Sequence, residues 1–387
     1  MMKAFKYRIY PTKQQEVLIA KHIGASRFVY NLALETKQMA YSGSRVNLSR
    51  FDISNQIPEL KKECPWLKEV NAQSLQKAIT HMDSAFNNFF KGHAKFPKFK
   101  SKKSSKQSFG IPQNVELNVD SQKLVLPKFK QGISIRLHRP IKGKVKQATI
   151  SRTPIGKYFA SILVETGEVA PNKIAVIEQT AIGIDLGIKS FLIGSDGSKF
   201  DNPRHLKKTM SRLKFIQSRY DKFKGKRTKY KLAKLHEEVA NKRRDFLHRV
   251  SSHLVKNHDS IAIEDLNVSE MMKNHSFAQA ISDCGWSIFV EMLEYKAEWQ
   301  GKNILRIGRF EPSSKMCSSC GHVNRQLQIS DREWTCKKCM THHDRDVNAA
   351  KNIKAFALEK HVCGTQTKTC SELPTLVGVL TCEASSI

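Results

Sequence analysis

Two Cys-x2-Cys pairs, Cys317/Cys320 and Cys336/Cys339, stand fifteen residues apart. That spacing constrains the fold strongly, because four thiolates around one tetrahedral ion close a short ribbon and leave no open ligand position. Structural zinc is therefore expected on Cys317, Cys320, Cys336 and Cys339, with iron or a redox pair as the competing chemistry. The intervening loop, with Asn324, Ser330, Asp331 and Trp334, suits a zinc ribbon. His342 and His343 follow closely, but four cysteines already satisfy the metal. The chain has nine cysteines, an odd number, and its N-terminus shows no apolar signal core. A reducing, cytoplasmic setting is expected rather than a disulfide framework.

Directly after the cysteines comes HDRDVNAAKNI, residues 343–353, which reads as the start of a helix through Val347, Ala350 and Ile353. Asp344 or Asp346 can cap that helix, or one of them can serve chemistry. Two further carboxylates end or interrupt apolar runs. Asp185 lies in AIGIDLGIKSFLI, 181–193, and Glu264 closes SIAIE, 260–264. A carboxylate inside such a run is costly unless it is paired, metal-bound or used in a capped turn. Strand termini are where α/β proteins usually build sites. Together, Asp185, Glu264 and one of Asp344 or Asp346 form a trio of hard oxygen donors suited to two Mg2+ or Mn2+ ions and to phosphodiester hydrolysis. Gly183, Gly187, Lys189 and Ser190 only echo a phosphate-binding loop: Ile188 separates glycine from lysine, and the first gap is too short.

Charge points to the partner. The chain carries 66 Lys+Arg against 35 Asp+Glu, a formal +31. Such self-repulsion is best relieved by a polyanion, with nucleic acid ahead of an anionic membrane. No apolar run approaches the length of a membrane span. Between Lys207 and Arg249 there are sixteen Lys+Arg and four Asp+Glu. Leu232, Leu235, Val239, Phe246 and Val250 keep a helical seam there, so one long helix is expected. Its basic face, with Arg227, Lys229, Arg243 and Arg244, is either solvated or set against a nucleic-acid backbone. The stretch FPKFKSKKSSKQ places Lys98, Lys100, Lys102 and Lys103 in a second basic segment, either a linker or a phosphate-contacting loop.

The rest reads as alternating classes of structure. KAFKYRIY, 3–10, alternates like a strand. Thr12 and Gln15 have capping-box spacing for the helix that follows. A further helix over 71–91 aligns Leu75, Ala78, Ile79, Met82, Ala85, Phe86, Phe89 and Phe90, a stripe expected to be core. VELNV, KLVLPKF, ISIRLH, QATISRT and YFASILVET then make a small β domain over about 108–180, with the N-terminal strand able to join it.

The segments GIDLGIKSF, IAIEDLNV, PSSKMCSSCG, WTCKKC and HDRDVNAAKNI resemble the TnpB (OrfB) family of insertion-sequence proteins, relatives of type V CRISPR effectors. KYRIYPTKQQ, SRFVYN and AFNNFFKG are similar to it as well, so the resemblance covers about residues 3–358. It implies an α/β multidomain protein. A wedge β-barrel (1–12 and 108–180) would carry a helical recognition domain (13–107). A RuvC-type RNase H nuclease domain (181–312 and 344–358) would hold a basic helical insertion at about 204–256 and a zinc ribbon at 313–343. A poorly ordered tail would follow from 359. It further implies catalysis and Mg2+ binding by Asp185, Glu264 and Asp346, with Asp265 and Asp344 as lesser neighbours. The partners implied are a guide RNA from the element's end and a double-stranded DNA target, with no membrane and a monomer favoured. A short target-adjacent motif would be read from the helix carrying Gln73 and Gln76. An amide such as Gln76 can pair with an adenine edge or simply face solvent. Two other readings remain: an unguided transposase or resolvase-like nuclease, and a non-enzymatic DNA-binding zinc protein.

Overall fold

The computed structural model describes residues 1–366 apart from Lys106, Phe310 and Ile329, with side chains described up to Val362. The chain forms two compact units, Met1–Val169 and the remainder from Ala170.

The first unit begins with strand β1 (Met2–Tyr10) and helix α1 (Lys13–Ser44). Thr12 Oγ1 accepts from the Gln15 amide and Gln15 Oε1 accepts from the Thr12 amide, the reciprocal cap expected from the sequence. Helices α2 (Arg50–Ser54), α3 (Ile57–Glu63) and α4 (Ala72–Phe90) follow; α4 packs on α1, and α2 on α4. Their shared core includes Val29, Leu34, Ile53, Leu75, Ile79, Met82 and Phe86. Most of the α4 stripe is core as expected, but Phe90, at the last turn of the helix, is 73% exposed: the rings of Phe86 and Phe89 lie against it yet leave most of it open. Strands β2 (Gln107–Ile111), β3 (Glu116–Asn118), β4 (Lys123–Leu126), β5 (Phe129–Arg136), β6 (Lys144–Arg152) and β7 (Tyr158–Glu165) follow. With β1 they make a seven-stranded sheet in the order β2-β6-β7-β1-β5-β4-β3. The N-terminal strand therefore sits at its centre, antiparallel to both β7 and β5.

The chain leaves this unit at Val169, earlier than the expected exit near 180. The Ile174 amide donates to Gly301 and its carbonyl accepts from Asn303, so this stretch runs along the second unit. There, β8 (Ala181–Leu186), β9 (Ser190–Gly194), β10 (Lys199–Asp201), β11 (Ser260–Glu264) and β12 (Asn303–Ile307) form a sheet in the order β10-β9-β8-β11-β12. The first three strands are antiparallel, whereas β8, β11 and β12 run parallel. Helices α5 (His205–Phe223) and α6 (Lys226–Asn257) separate β10 from β11, and α7 (Val268–Met271), α8 (His275–Cys284) and α9 (Trp286–Trp299) separate β11 from β12. The single long basic helix expected here is thus two. Lys224 takes a left-handed φ of 47° and Gly225 follows in an extended conformation, which reverses the chain. Strands β13 (Glu333–Thr335) and β14 (His342–Asp344) belong to the cysteine module, and α10 (Arg345–Gln366) closes the described chain. The rest of the tail expected from 359, with the side chain of Cys363 and all of Cys370 and Cys382, lies outside the described residues.

Strand alternation decides what each face of the second sheet holds. Ile182, Ile184, Ile261 and Ile263 face one side and share a core with Leu247, Leu254, Phe289 and Leu293 of α6 and α9. Gly183, Asp185, Ala262 and Glu264 fall on the other face, where Ala262 packs with Ile307, Ile353 and Ala357. The small residues let α10 come close. A Cβ on Gly183 would lie 2.1 Å from the Ala350 carbonyl oxygen and 2.7 Å from the Lys354 nitrogen. Gly183→Ala is therefore expected to destabilise the protein by at least about 1–3 kcal/mol. Gly24, in α1 with nothing within 4 Å of its would-be Cβ, is the opposite case. Gly24→Ala should stabilise by about 0.5–1 kcal/mol through helix propensity. Denaturant unfolding of the two variants checks both signs, and equal stability of Gly183→Ala and wild type would refute the packing argument.

Candidate functional site

Asp185 sits one residue beyond the paired Ile184, and Glu264 one beyond its partner Ile263, so the two carboxylates leave parallel neighbouring strands side by side. Asp346 comes from the first turn of α10, the helix packed across the same face. Three segments far apart in sequence thus meet at the C-terminal ends of β8 and β11. Burial raises the Asp185 carboxyl to about 7, reinforced by the negative charges of Glu264 and then Asp346, while Arg345 opposes the shift. A carboxylate crowded by two others in a half-buried place is short of positive charge, the condition a hard divalent cation relieves. The donor set fits such a cation, although the three carboxylates do not converge as tightly as the four cysteine sulfurs do.

The neighbouring acids have structural work. Asp344 Oδ1 accepts from the amides of Asp346 and Val347 at 2.9 and 3.0 Å, capping α10. Asp265 is held by Arg306 at 3.3 Å and Arg309 at 3.0 Å. Polar residues that sequence reading missed hold the site together. Ser313 donates to Glu264 Oε1 at 2.5 Å, and its own carbonyl accepts from Asn352 Nδ2 at 2.7 Å. Asn348 accepts from the Ser318 amide and donates to the Met316 carbonyl, at 2.9 and 2.7 Å. Asn348 and Asn352 are both 1% exposed. Two amides within a stretch otherwise rich in alanine are the one sequence signal that could have found them. Arg332, also missed, reaches from the cysteine module to Asp346 Oδ2 at 3.5 Å. Nothing local marks it, because its partner is fourteen residues away across a turn of the chain.

The cysteines converge. Among the described residues, Cys317, Cys320, Cys336 and Cys339 are the one group of three or more ligating side chains whose donor atoms all lie within 4.8 Å of each other. Cys317–Cys339 and Cys320–Cys336 sulfurs are each 3.6 Å apart, near the roughly 3.8 Å edge of a tetrahedron with zinc–sulfur bonds of about 2.3 Å. His343 is not needed as a fifth ligand. It is buried against Trp334, with ring centroids 4.9 Å apart, and its Nε2 lies 3.0 Å from Cys317 Sγ, the place of an outer hydrogen-bond partner. Hydrogen bonds from Thr341 pull the Cys339 thiol down to about 6, toward the thiolate a metal requires.

The candidate nucleic-acid residues are scattered. Arg227, Lys229 and Arg244 are exposed on α6, but Arg243 is half-buried and committed to buried Asp283 at 3.1 Å. Arg243 therefore leaves the set of backbone contacts, because its charge is used inside the fold. In the first unit Lys98, Lys102 and Lys103 are exposed, and the Lys100 ammonium lies 3.8 Å from the Tyr30 ring centroid. Gln76 is exposed on α4 and Gln73 half-buried near its start. The α5–α6 hairpin adds a groove of about 760 Å3 lined by Arg212, Phe215, Arg219, Arg227, Lys231 and Lys234 among others.

Comparison with known proteins places this arrangement. A family described as "Cas12f1-like, TNB domain" matches residues 286–353, one described as "Probable transposase" of the IS605 OrfB type matches 161–275, and its "Helix-turn-helix domain" matches 1–45. In this chain that last stretch is one strand and one helix, β1 and α1. A protein of Streptomyces pristinaespiralis named "Putative RNA-guided DNA endonuclease" is 39% identical over 94% of this chain and 91% of its own length. The Escherichia coli K12 protein "Putative RNA-guided DNA endonuclease InsQ" is 31% identical over 94% of both. The fold is similar to the protein in a Cas12f1–sgRNA–target DNA complex, with a TM-score of 0.55 at 15% identity, over 92% of this chain and 98% of that one. Fold and site thus define a Cas12-like α/β protein with an acidic cluster at the ends of two sheet strands and a four-cysteine module. The chain belongs to the TnpB (OrfB) family.

Two outcomes are expected from the geometry. The Asp185 carboxyl titrates higher folded than unfolded, so its contribution to stability is complete below about pH 4 and is lost as pH rises through about 7. Without divalent cations the protein should lose stability between about pH 4 and pH 7 more steeply than Asp185→Asn does. Mg2+ should restore wild type at the high end and leave the variant nearly unchanged. Thermal denaturation reads both, and parallel pH curves for the two proteins would contradict the coupling. Purified protein should also carry one zinc per chain by elemental analysis. Chelation or Cys336→Ser should expose 313–343 to protease, and a metal-free but protease-resistant module would refute the zinc assignment.

Proposed function

We propose that this protein is an RNA-guided DNA endonuclease of a transposable element that cleaves double-stranded DNA beside a short motif. The observation that carries the reading is the meeting of Asp185, Glu264 and Asp346 at the C-terminal ends of β8 and β11 in the β10-β9-β8-β11-β12 sheet, in a chain of net charge +31. The mixed sheet, with three antiparallel strands followed by two parallel ones, supports a RuvC-type RNase H nuclease domain over 181–312 and 344–358, with α5 and α6 as its basic insertion. We assign 313–343 as a zinc ribbon, 13–107 as a helical recognition domain, and the seven-stranded sheet of the first unit as the wedge β-barrel. The relatives' names and the guide RNA and target DNA in the Cas12f1 complex support the same partners here.

Asp185, Glu264 and Asp346 would hold Mg2+ or Mn2+, which when bound supplies activation of water and stabilisation of the leaving oxygen in phosphodiester hydrolysis. The Ser313 hydroxyl fixes the orientation of the Glu264 carboxylate. Asp344, by capping α10, keeps the Asp346 side chain free to face the other two acids. Arg332 brings a positive charge to the rim of the site, placed to meet a phosphate oxygen once it is released from Asp346. Base pairing with the guide would choose the target, and the protein would read only the adjacent motif, with Gln73 and Gln76 as the readers. Exposed Arg227, Lys229, Arg244, Lys98, Lys102 and Lys103 would hold phosphates.

The test is to purify the protein from cells carrying the whole element and sequence the RNA bound to it. A discrete RNA ending beyond the element's edge is expected, and it should direct Mg2+-dependent cleavage of a matching duplex. Asp185→Ala should lower that cleavage by roughly three orders of magnitude while RNA remains bound. Cleavage without RNA would instead favour an unguided transposase. DNA binding with no cleavage by wild type would leave a regulator.

A further inference from the structure

Helix α4 carries Gln73 and Gln76, and a part for its first turn in target choice rests on the proposed function, in which α4 contacts the motif. The start of this helix is held by a side chain some fifty residues earlier. His22, on α1, is fully buried. Its Nδ1 lies 2.8 Å from the Leu18 carbonyl, so Nδ1 carries the proton and donates there. That leaves Nε2 as an acceptor, and it takes the backbone N–H of Asn71 at 3.0 Å. Asn71 is the N-cap of α4, and its own Oδ1 accepts from the Gln73 amide at 3.3 Å. The imidazole also packs on Phe109 of β2 and Phe129 of β5, with ring centroids 4.8 and 5.4 Å away. One ring therefore joins α1, the first turn of α4 and the sheet.

A leucine would fill this space equally well, so packing alone does not call for histidine. The ring adds an acceptor for a buried N–H that the helix itself cannot satisfy. Burial keeps the imidazole below its ordinary titration range, with nearby Lys128 adding to the shift and the Leu18 carbonyl opposing it. The neutral form with a free acceptor nitrogen is thus the one the fold maintains.

We propose that His22 is a positioning residue for target recognition: by accepting from the α4 N-cap while wedged against the sheet, it fixes where Gln73 and Gln76 stand relative to the motif. His22 itself touches no DNA. A residue that merely completed the core would support every activity of the protein equally. A positioning residue supports only the step that needs the motif.

The experiment uses the full chain with its guide RNA and two DNA substrates. One is an intact duplex bearing the correct motif. The other has the same target already unpaired as a bubble, so that reading the motif is no longer needed to open it. His22→Leu keeps the apolar volume and orphans the Asn71 N–H. His22→Gln can both donate and accept, and so can keep the two hydrogen bonds. At subsaturating duplex, His22→Leu should cleave about ten-fold more slowly, with the bubble cleaved at the wild-type rate. His22→Gln should recover most of the duplex rate. Equal loss on both substrates, no loss on either, or failure of His22→Gln to recover the duplex rate would each overturn the proposal. Gln76→Ala and Gln73→Ala separate this from the underlying reading. If neither changes the duplex-to-bubble ratio, α4 is not the motif reader, whatever His22→Leu does.

Discussion

The second unit of this protein depends on how closely α10 lies against β8. Gly183 leaves no room for even a methyl group beneath the Ala350 carbonyl. A helix held that close brings its first turn over the C-terminal ends of β8 and β11, where Asp185 and Glu264 emerge. Alternation of side chains does the rest: large aliphatics at 182, 184, 261 and 263 anchor the far face, so glycine, alanine and the two acids must share the near one. The clustering of like charge costs stability and is tolerated because the helix and strands carrying it are fixed by apolar contact on both sides.

Close packing sets the distance, and hydrogen bonds set the rotation. Asn348 and Asn352 spend their amides on the backbone of 313–318, the entry to the cysteine module. Ser313, in the same stretch, orients Glu264. The module is thereby tied to both one of the three acids and the helix carrying another, and it contributes Arg332 to the same cluster. A metal that shapes this ribbon would act on the acidic site through these bonds without sharing a ligand with it, as outer-shell groups do around metal centres in general.

What could be read from the sequence was local. Apolar runs that stop at Asp185 and Glu264, a capped helix at 344–346 and the cysteine spacing each lie within a few residues, and each stands in the fold as its local pattern implies. What could not be read was pairwise across the fold. Arg332 and Asp346, Ser313 and Glu264, His22 and Asn71 gain meaning only once distant segments meet. Some signals were local yet outweighed: Gly225 broke the basic helix that the charge pattern continues, and β2, with a glycine inside five residues, gave too weak a pattern to stand among the expected strands. Asp344 and Asp346 were interchangeable by local pattern, with only the family resemblance favouring Asp346; in the fold it is Asp344 whose carboxylate is taken up by the first turn of α10. The stretch 170–180 went with the second unit because Ile174 found its backbone partners there.

The charge of the chain and the charge of its site pull in opposite directions, and this orders events at the site. A surplus of 31 positive charges draws a polyanion from beyond contact distance. The same polyanion is repelled locally by three carboxylates. Exposed lysines and arginines on α6 and in the 98–103 segment can hold a backbone by its phosphates, but phosphate contacts carry no sequence information. Tight binding alone would therefore leave a polyanion near the acids without commitment. Commitment would need a cation among the carboxylates, which is a matter of charge at Asp185: burial and its neighbours Glu264 and Asp346 leave that carboxyl short of positive partners.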